Sequence, residues 1–172
     1  MRKLFDAAVI LAVGGMISTH GLACGDKLIL TIGNVRFSQI MGSLRPASIL
    51  AYTPQNSPVA QVVKELERQP AGKRAGLTFY SLDDRARLNE VLRAQKYDLL
   101  LVDAADAATL QREAQTVPSK PMVLPVVSQS NKAAAVQAEK EFHCVLTAPN
   151  PPSRYLSAID RAMEFKLKAP AR

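Results

Sequence analysis

Four consecutive aliphatic residues stand between two aspartates in the stretch Tyr97-Asp98-Leu99-Leu100-Leu101-Val102-Asp103. A strand of this composition has apolar side chains on both of its faces. That is typical of a central parallel strand covered by helices on both sides of its sheet. The stretch therefore predicts an α/β protein in which this strand lies in the middle of the sheet.

The chain on either side of this strand repeats a strand-then-helix pattern. Strands are predicted at 47–52, 77–80, 98–102, 121–127 and 144–147. Helices are predicted to follow Ser57-Pro58 and Asp83-Asp84, and to span 104–114, 131–142 and 153–168. Five such repeats with short links predict a three-layer α/β/α sandwich with a five-stranded parallel sheet, in the flavodoxin-like order 2-1-3-4-5.

The last predicted helix carries apolar residues at helical spacing. Leu156, Ile159, Met163 and Leu167 fall on one face of 153–168. We expect all four side chains to face the sheet.

Two segments resemble the receiver domain of bacterial response regulators. The segment 97–103 is similar to the third strand of that family, which ends in the phospho-accepting aspartate. The segment Cys144-Val145-Leu146-Thr147-Ala148-Pro149 is similar to its fifth strand, which ends in a Lys-Pro pair. The resemblance covers about 120 residues in spacing, from position 47 to about 165, and implies a cis peptide bond between Ala148 and Pro149.

The resemblance also implies chemistry that the residues do not supply. It places the acceptor at Asp103 and a hydroxyl residue at Ser128, but Ala148 replaces the lysine. The stretch Tyr52-Thr53-Pro54-Gln55-Asn56 offers no acid where the family holds Mg²⁺, an ion that prefers carboxylate oxygens. We therefore expect a degenerate receiver that is not phosphorylated, uses no cofactor or metal, and acts as an interaction or accessory module.

Asp103 has two interpretations. It closes a central strand, where open α/β sheets place their ligands, and it also precedes a predicted helix, where aspartate is a good N-cap. The ligand interpretation makes the chain a periplasmic small-ligand-binding protein with a pocket beside Tyr52, Asp103 and Ser128. The full candidate set for such a site is Tyr52, Thr53, Asp103, Ser128 and Ala148.

The N-terminus has the pattern of a secretory signal peptide. Met1-Arg2-Lys3 is basic, the run from Ala7 to Ile17 is apolar, and small residues lead to a cleavage point after Ala23. The apolar run is shorter than the roughly 20 residues that span a bilayer. We expect residues 1–23 to be removed on export to the periplasm. The remaining predicted parts are an N-terminal extension at 24–45, the receiver-like domain at 46–168 and a tail at 169–172.

The only two cysteines of the chain leave several uses open. Cys24 would be the first residue after cleavage, so a lipid anchor could be attached there. Alternatively, an exported location permits a disulfide between Cys24 and Cys144. A third interpretation is a redox or metal protein in which Cys24, His143 and Cys144 hold a soft metal such as copper. Cys144 could also be a buried apolar residue.

Composition narrows the function further. The 172 residues suit one domain, and no G-x-S-x-G, G-x-G-x-x-G or P-loop motif is present, which argues against an enzyme. A net charge of +7 favours acidic partners, such as an envelope protein or an anionic membrane surface. Nucleic acid is not expected as a partner, because the protein is predicted to be exported. The chain also has no tryptophan and only 5% aromatic residues, which are the side chains that stack on bases.

Overall fold

The computed structural model describes residues 45–69 and 76–168 of the chain. Its strands are β1 (Ala47–Tyr52), β2 (Leu77–Leu82), β3 (Leu99–Asp103), β4 (Met122–Ser128) and β5 (Leu146–Ala148). Its helices are α1 (Pro58–Arg68), α2 (Arg85–Ala94), α3 (Ala104–Ala114), α4 (Lys132–Glu141) and α5 (Pro152–Lys168). The predicted signal peptide, most of the predicted extension including Cys24, and the predicted tail lie outside the described residues.

The five strands form one parallel sheet in the order β2-β1-β3-β4-β5, as predicted. Ile49 of β1 and Met122 of β4 both pair with Leu99 of β3. The four aliphatic residues of β3 are each 0% exposed. The all-aliphatic strand β3 is therefore central and covered on both faces.

Successive residues of β3 face two different apolar layers. Leu99 and Leu101 pack with α1 and α5 on one side of the sheet. Leu100 and Val102 pack with α2 and α3 on the other side. A smaller cluster joins α4 to the end of β4 and to Val145, the residue before β5. This alternation gives the predicted three-layer sandwich.

Side chains that accept hydrogen bonds from free backbone amides mark the starts of four helices. Ser57 accepts from Val59 N at the start of α1, with Pro58 in the first turn. The same role is taken by Asp84 for α2, Asp103 for α3 and Asn131 for α4. Because the first amides of a helix have no partner within it, these caps fix where the helices begin.

The end of α5 departs from the prediction. Leu156, Ile159 and Met163 are buried as expected, but Leu167 is 64% exposed. The expectation for Leu167 was wrong because helical spacing continues into the last turn, whereas no described residue buries this side chain. No helix within the described ranges combines the length and the apolar character needed to cross a bilayer.

Candidate functional site

The carboxyl ends of the strands lie along one edge of the sheet. Tyr52 pairs with Leu82 of β2, Asp103 with Val126 of β4, and Ser128 with Ala148 of β5. The predicted ligand-binding residues therefore occur at the ends of neighbouring strands along this edge. Their side chains have different surroundings.

Tyr52 ends β1 and Thr53 follows it, and both have structural contacts. Tyr52 is 7% exposed and belongs to the apolar layer with α2 and α3. Thr53 donates its backbone amide to Leu82 O at 2.7 Å, and its hydroxyl donates to the same oxygen at 3.4 Å. The Thr53 hydrogen bonds extend the β1–β2 pairing by one residue, so both residues have structural roles at this edge of the sheet.

Asp103 begins α3. Its Oδ1 accepts from Ala105 N at 3.1 Å, which is the N-cap arrangement that the sequence offered as one interpretation. The side chain is half-buried, and none of the ion pairs found between described residues includes it. One carboxylate oxygen is thus hydrogen-bonded to the helix. Asp103 also lines the groove described below.

The end of β4 is polar. Ser128 and Ser130 share a hydrogen bond of 2.8 Å between their hydroxyls, and Asn131 then caps α4 through Ala134 N at 3.0 Å. Gln129 donates its amide to Ala148 O at 2.8 Å, which ties this loop to β5. Ser128 is half-buried and its hydroxyl lies close to the start of α4.

Ala148 ends β5 inside the core. It is 1% exposed, and the Ala148–Pro149 peptide bond is cis, as the resemblance implied. The following loop closes on itself, because the Asn150 side chain donates to Thr147 O at 2.8 Å and the Asn150 amide donates to the Tyr155 hydroxyl at 2.6 Å. Burial raises the pKa of Tyr155, and the hydrogen bond from Asn150 opposes that rise. At the position where the receiver family has its lysine, this chain has the buried Ala148, which carries no amine.

A groove of about 300 Å³ lies between α3 and α4 and brings Asp103 and Ser128 together. Tyr52, Thr53 and Ala148 do not line it. Its remaining lining residues are Pro58, Ala104, Ala105, Val127, Asn131, Ala134, Gln137, Ala138, Glu141 and Phe142. The alanines leave an open apolar floor between two carboxylates, and no described lining residue is basic. Such a groove suits a neutral or cationic group better than an anion.

The sequence did not predict the part of this groove that α4 contributes. Gln137 and Glu141 lie one turn apart and are hydrogen-bonded through their side chains. The alanine run of α4 was visible in the sequence, since small side chains on a helix leave room at its surface. Only the packing of α4 beside α3 shows that this room opens next to Asp103.

A cation of the α2–α3 layer, Arg85, pairs with Glu113 and not with Asp103. Arg85 donates to Glu113 through both terminal nitrogens, at 3.0 and 2.5 Å, and joins the start of α2 to the end of α3. This hydrogen bonding to Glu113 raises the pKa of Arg85 against the opposing effect of burial. The guanidinium is thus engaged in a bidentate pair that links two helices.

Of the three residues of the predicted metal site, the structure describes His143 and Cys144. Cys144 is 1% exposed, whereas His143 is exposed and stacks on Phe165 with ring centroids 5.3 Å apart. Cys24 lies outside the described residues, so the disulfide, the lipid anchor and the copper site all stay predictions. Among described residues, no three His, Cys, Asp or Glu side chains gather as ligands of a metal ion.

Two solved structures have the same fold. The receiver domain of a sensor histidine kinase from Pseudomonas aeruginosa PAO1, with a magnesium ion in its active site cleft, is 18% identical, with a TM-score of 0.51 over 69% of this chain and 98% of that one. The pilus assembly protein CpaE from Caulobacter crescentus CB15 is 16% identical, with a TM-score of 0.52 over 69% and 95%. Scans against protein-family models and curated proteins found no match. The chain thus has the receiver fold, as the resemblance implied.

Proposed function

We propose that this protein is an exported, non-catalytic module of receiver fold that binds a protein partner in the cell envelope and is not phosphorylated. The observation that carries the proposal is the role of Asp103 as the N-cap of α3. Its carboxylate caps α3, and it stands between a β1 end that carries Tyr52 and Thr53 and a β5 end that carries Ala148.

Phosphoryl transfer to this aspartate lacks support from its neighbours. The reaction depends on positioning and on neutralising the charge of the transferred group, which receivers achieve with a metal-binding acid pair and a lysine. In this chain the acid pair is replaced by the buried Tyr52 and by Thr53, whose hydroxyl donates a hydrogen bond to Leu82 O. The buried methyl group of Ala148 replaces the lysine.

The phosphorylation part is tested by incubating the full chain with acetyl phosphate or beryllofluoride and Mg²⁺. A receiver domain that accepts phosphoryl groups serves as the positive control in the same buffer. We expect acetyl phosphate to cause no increase in the mass of this chain and beryllofluoride to cause no change in its spectrum. A phosphoryl adduct that maps to Asp103 and is abolished by Asp103→Asn would overturn the proposal.

The export part rests on the basic start, apolar run and small-residue cleavage point of residues 1–23. Intact mass of protein purified from the cell envelope tests it. A chain that begins at Cys24 supports export, an added lipid mass identifies an anchor, and a mass two hydrogens below the reduced form identifies the Cys24–Cys144 disulfide. A chain that keeps residues 1–23 and stays in the cytoplasm contradicts export.

A second candidate function is the binding of a small neutral or cationic ligand. The groove between α3 and α4 favours it, because Asp103 and Glu141 face an apolar floor of about 300 Å³. A panel of amines, amino acids and neutral metabolites is screened by thermal shift. A hit supports this function if Glu141→Gln weakens it at least tenfold while Glu67→Gln, an exposed residue on α1, does not. A panel without hits counts against it.

A further inference from the structure

A separate cavity lies at the surface between α2 and α3. It has a volume of about 360 Å³ and shares no lining residue with the groove between α3 and α4. All of its lining side chains are polar or charged, in contrast to the alanine floor of that groove. We name it the α2–α3 cleft, and it is lined by Asn89, Arg93, Thr109, Arg112, Glu113 and Thr116.

The spacing of these residues explains why they line one cleft. Asn89 and Arg93 are four positions apart on α2 and therefore lie on the same side of that helix. Positions 109, 112, 113 and 116 share one side of α3 and the turn that follows it, because they too are separated by about one helical turn. The cleft is thus formed where two polar helix faces meet.

The arginines that line the cleft have no acidic partner. None of the ion pairs found between described residues includes Arg93 or Arg112, and Glu90, which lines the adjoining surface beside Arg93, is in none of them either. The acid in the lining, Glu113, is held by Arg85 through both of its carboxylate oxygens. Two guanidinium groups therefore remain in the cleft without a counter-charge.

Neutral donors accompany the two guanidinium groups. Arg112 donates to the Thr109 hydroxyl at 3.4 Å, which leaves the hydrogen of that hydroxyl for another acceptor. Asn89 adds a side-chain amide that forms no hydrogen bond with any described residue. The Thr116 hydroxyl, by contrast, already donates to Glu113 O at 2.7 Å. Each helix thus supplies the cleft with one arginine and one neutral donor.

This set of donors fits a phosphate monoester better than a carboxylate. A carboxylate carries one charge and is satisfied by a single bidentate arginine, as Arg85 shows with Glu113. A phosphate monoester carries a charge of about −1.5 to −2 at neutral pH and has three acceptor oxygens. It is therefore able to accept hydrogen bonds from both guanidinium groups at once, and its charge matches theirs.

We propose that the α2–α3 cleft binds a phosphate monoester group. Arg93 and Arg112 make the charged contacts from the two helices, and Asn89 and Thr109 donate the neutral hydrogen bonds. The group belongs either to a small soluble molecule or to a lipid headgroup. The site requires neither export nor a protein partner and does not involve Asp103, so its failure and that of the proposed function are distinguishable.

Titration of the full chain with inorganic phosphate, followed by the amide signals in NMR spectra, tests the site. Arg93→Gln and Arg112→Gln each remove one charged contact. Arg87→Gln removes the same charge from an exposed position of α2 outside the cleft and is the matched control. We expect phosphate to shift the signals of the cleft residues. Binding should weaken about tenfold in each cleft variant and by less than about twofold in the control.

Vesicles distinguish the two sources of the phosphate group. Phosphatidic acid has a phosphate monoester headgroup, so phosphatidylcholine vesicles are compared with and without it. Binding to phosphatidic acid that both cleft variants lose, and that Arg87→Gln keeps, identifies a lipid headgroup. Binding of inorganic phosphate without such vesicle binding identifies a small soluble molecule.

Three results would contradict the phosphate site. Phosphate shifts no signals of the cleft residues, acetate at the same ionic strength shifts them as far, or Arg87→Gln weakens binding as much as the cleft variants do. Both cleft arginines lie in the last turns of their helices, where a cation is favourable. The spectra of the free variants should therefore match the wild type away from each substitution, which separates lost binding from a lost fold.

Discussion

At the scale of single residues, the pKa values of two carboxylates, Asp98 and Asp160, are shifted in opposite directions. Burial would raise the pKa of Asp98, but hydrogen bonds from the Ser48 amide and from Lys166 bring that pKa below its ordinary value. Burial raises the pKa of Asp160, and nearby Glu164 raises it further, so that Arg45 offsets this only in part. Ionisation of Asp98 therefore favours the folded state, whereas ionisation of Asp160 opposes it.

We predict that Asp98→Asn lowers the free energy of unfolding at pH 7 by about 1 kcal/mol, a value reduced because the side chain is partly exposed. The folded pKa of Asp98 is lowered, so its stabilisation is present above the unfolded pKa and is lost as pH falls through the folded pKa. The difference from the wild type should thus shrink below about pH 4. Urea denaturation of both proteins from pH 7 to acid measures it.

Asp160→Asn is the matched control, since it removes the same charge from α5, the helix that carries Lys166, the partner of Asp98. Because ionised Asp160 is disfavoured in the folded state, this variant should be at least as stable as the wild type at pH 7. Equal losses for both variants, or a loss for Asp98→Asn that persists in acid, would show that the electrostatic account of Asp98 is wrong.

At the scale of elements, helix starts were predictable and strand ends less so. Caps depend on residues two or three positions apart, and Ser57, Asp84 and Asn131 begin helices as their local sequence indicates. Strand ends depend on a partner elsewhere in the chain. β2 runs two residues beyond its predicted end because Leu82 pairs with Tyr52, and β5 begins only where Leu146 meets Val126.

We predict that Asp103 stabilises the protein as a cap rather than as a charged group. Asp103→Ala should lower the free energy of unfolding by about 1 kcal/mol, because Ala105 N loses its acceptor, while Asp103→Ser should keep most of it. Thermal or urea denaturation of the three proteins measures this. If the serine variant is as unstable as the alanine variant, the carboxylate itself is required and the cap explanation fails.

At the scale of the whole molecule, the sheet and its edge could be predicted, but the groove could not. An all-aliphatic strand and five strand–helix repeats determine which strand is central and where strand ends meet. The space beside Asp103 depends on how α3 and α4 pack, which involves residues such as Ala104 and Ala138 that are far apart in sequence. The spacing of residues along the sequence does not predict how far α3 lies from α4. The exposure of Leu167 escaped prediction for the same reason, since periodicity does not show where a neighbouring layer stops.

The central strand joins both apolar layers, so damage to either layer should unfold the whole domain. Leu100 and Leu101 are each 0% exposed and pack on opposite sides of the sheet. We predict that Leu100→Ala and Leu101→Ala each cost about 3 kcal/mol, whereas Thr78→Ala on the exposed edge strand β2 costs under about 0.5 kcal/mol. Near- and far-ultraviolet circular dichroism should give coincident transitions for each variant, as expected of one cooperative unit. A separate early transition confined to one layer in either leucine variant would show that β3 does not couple the two layers.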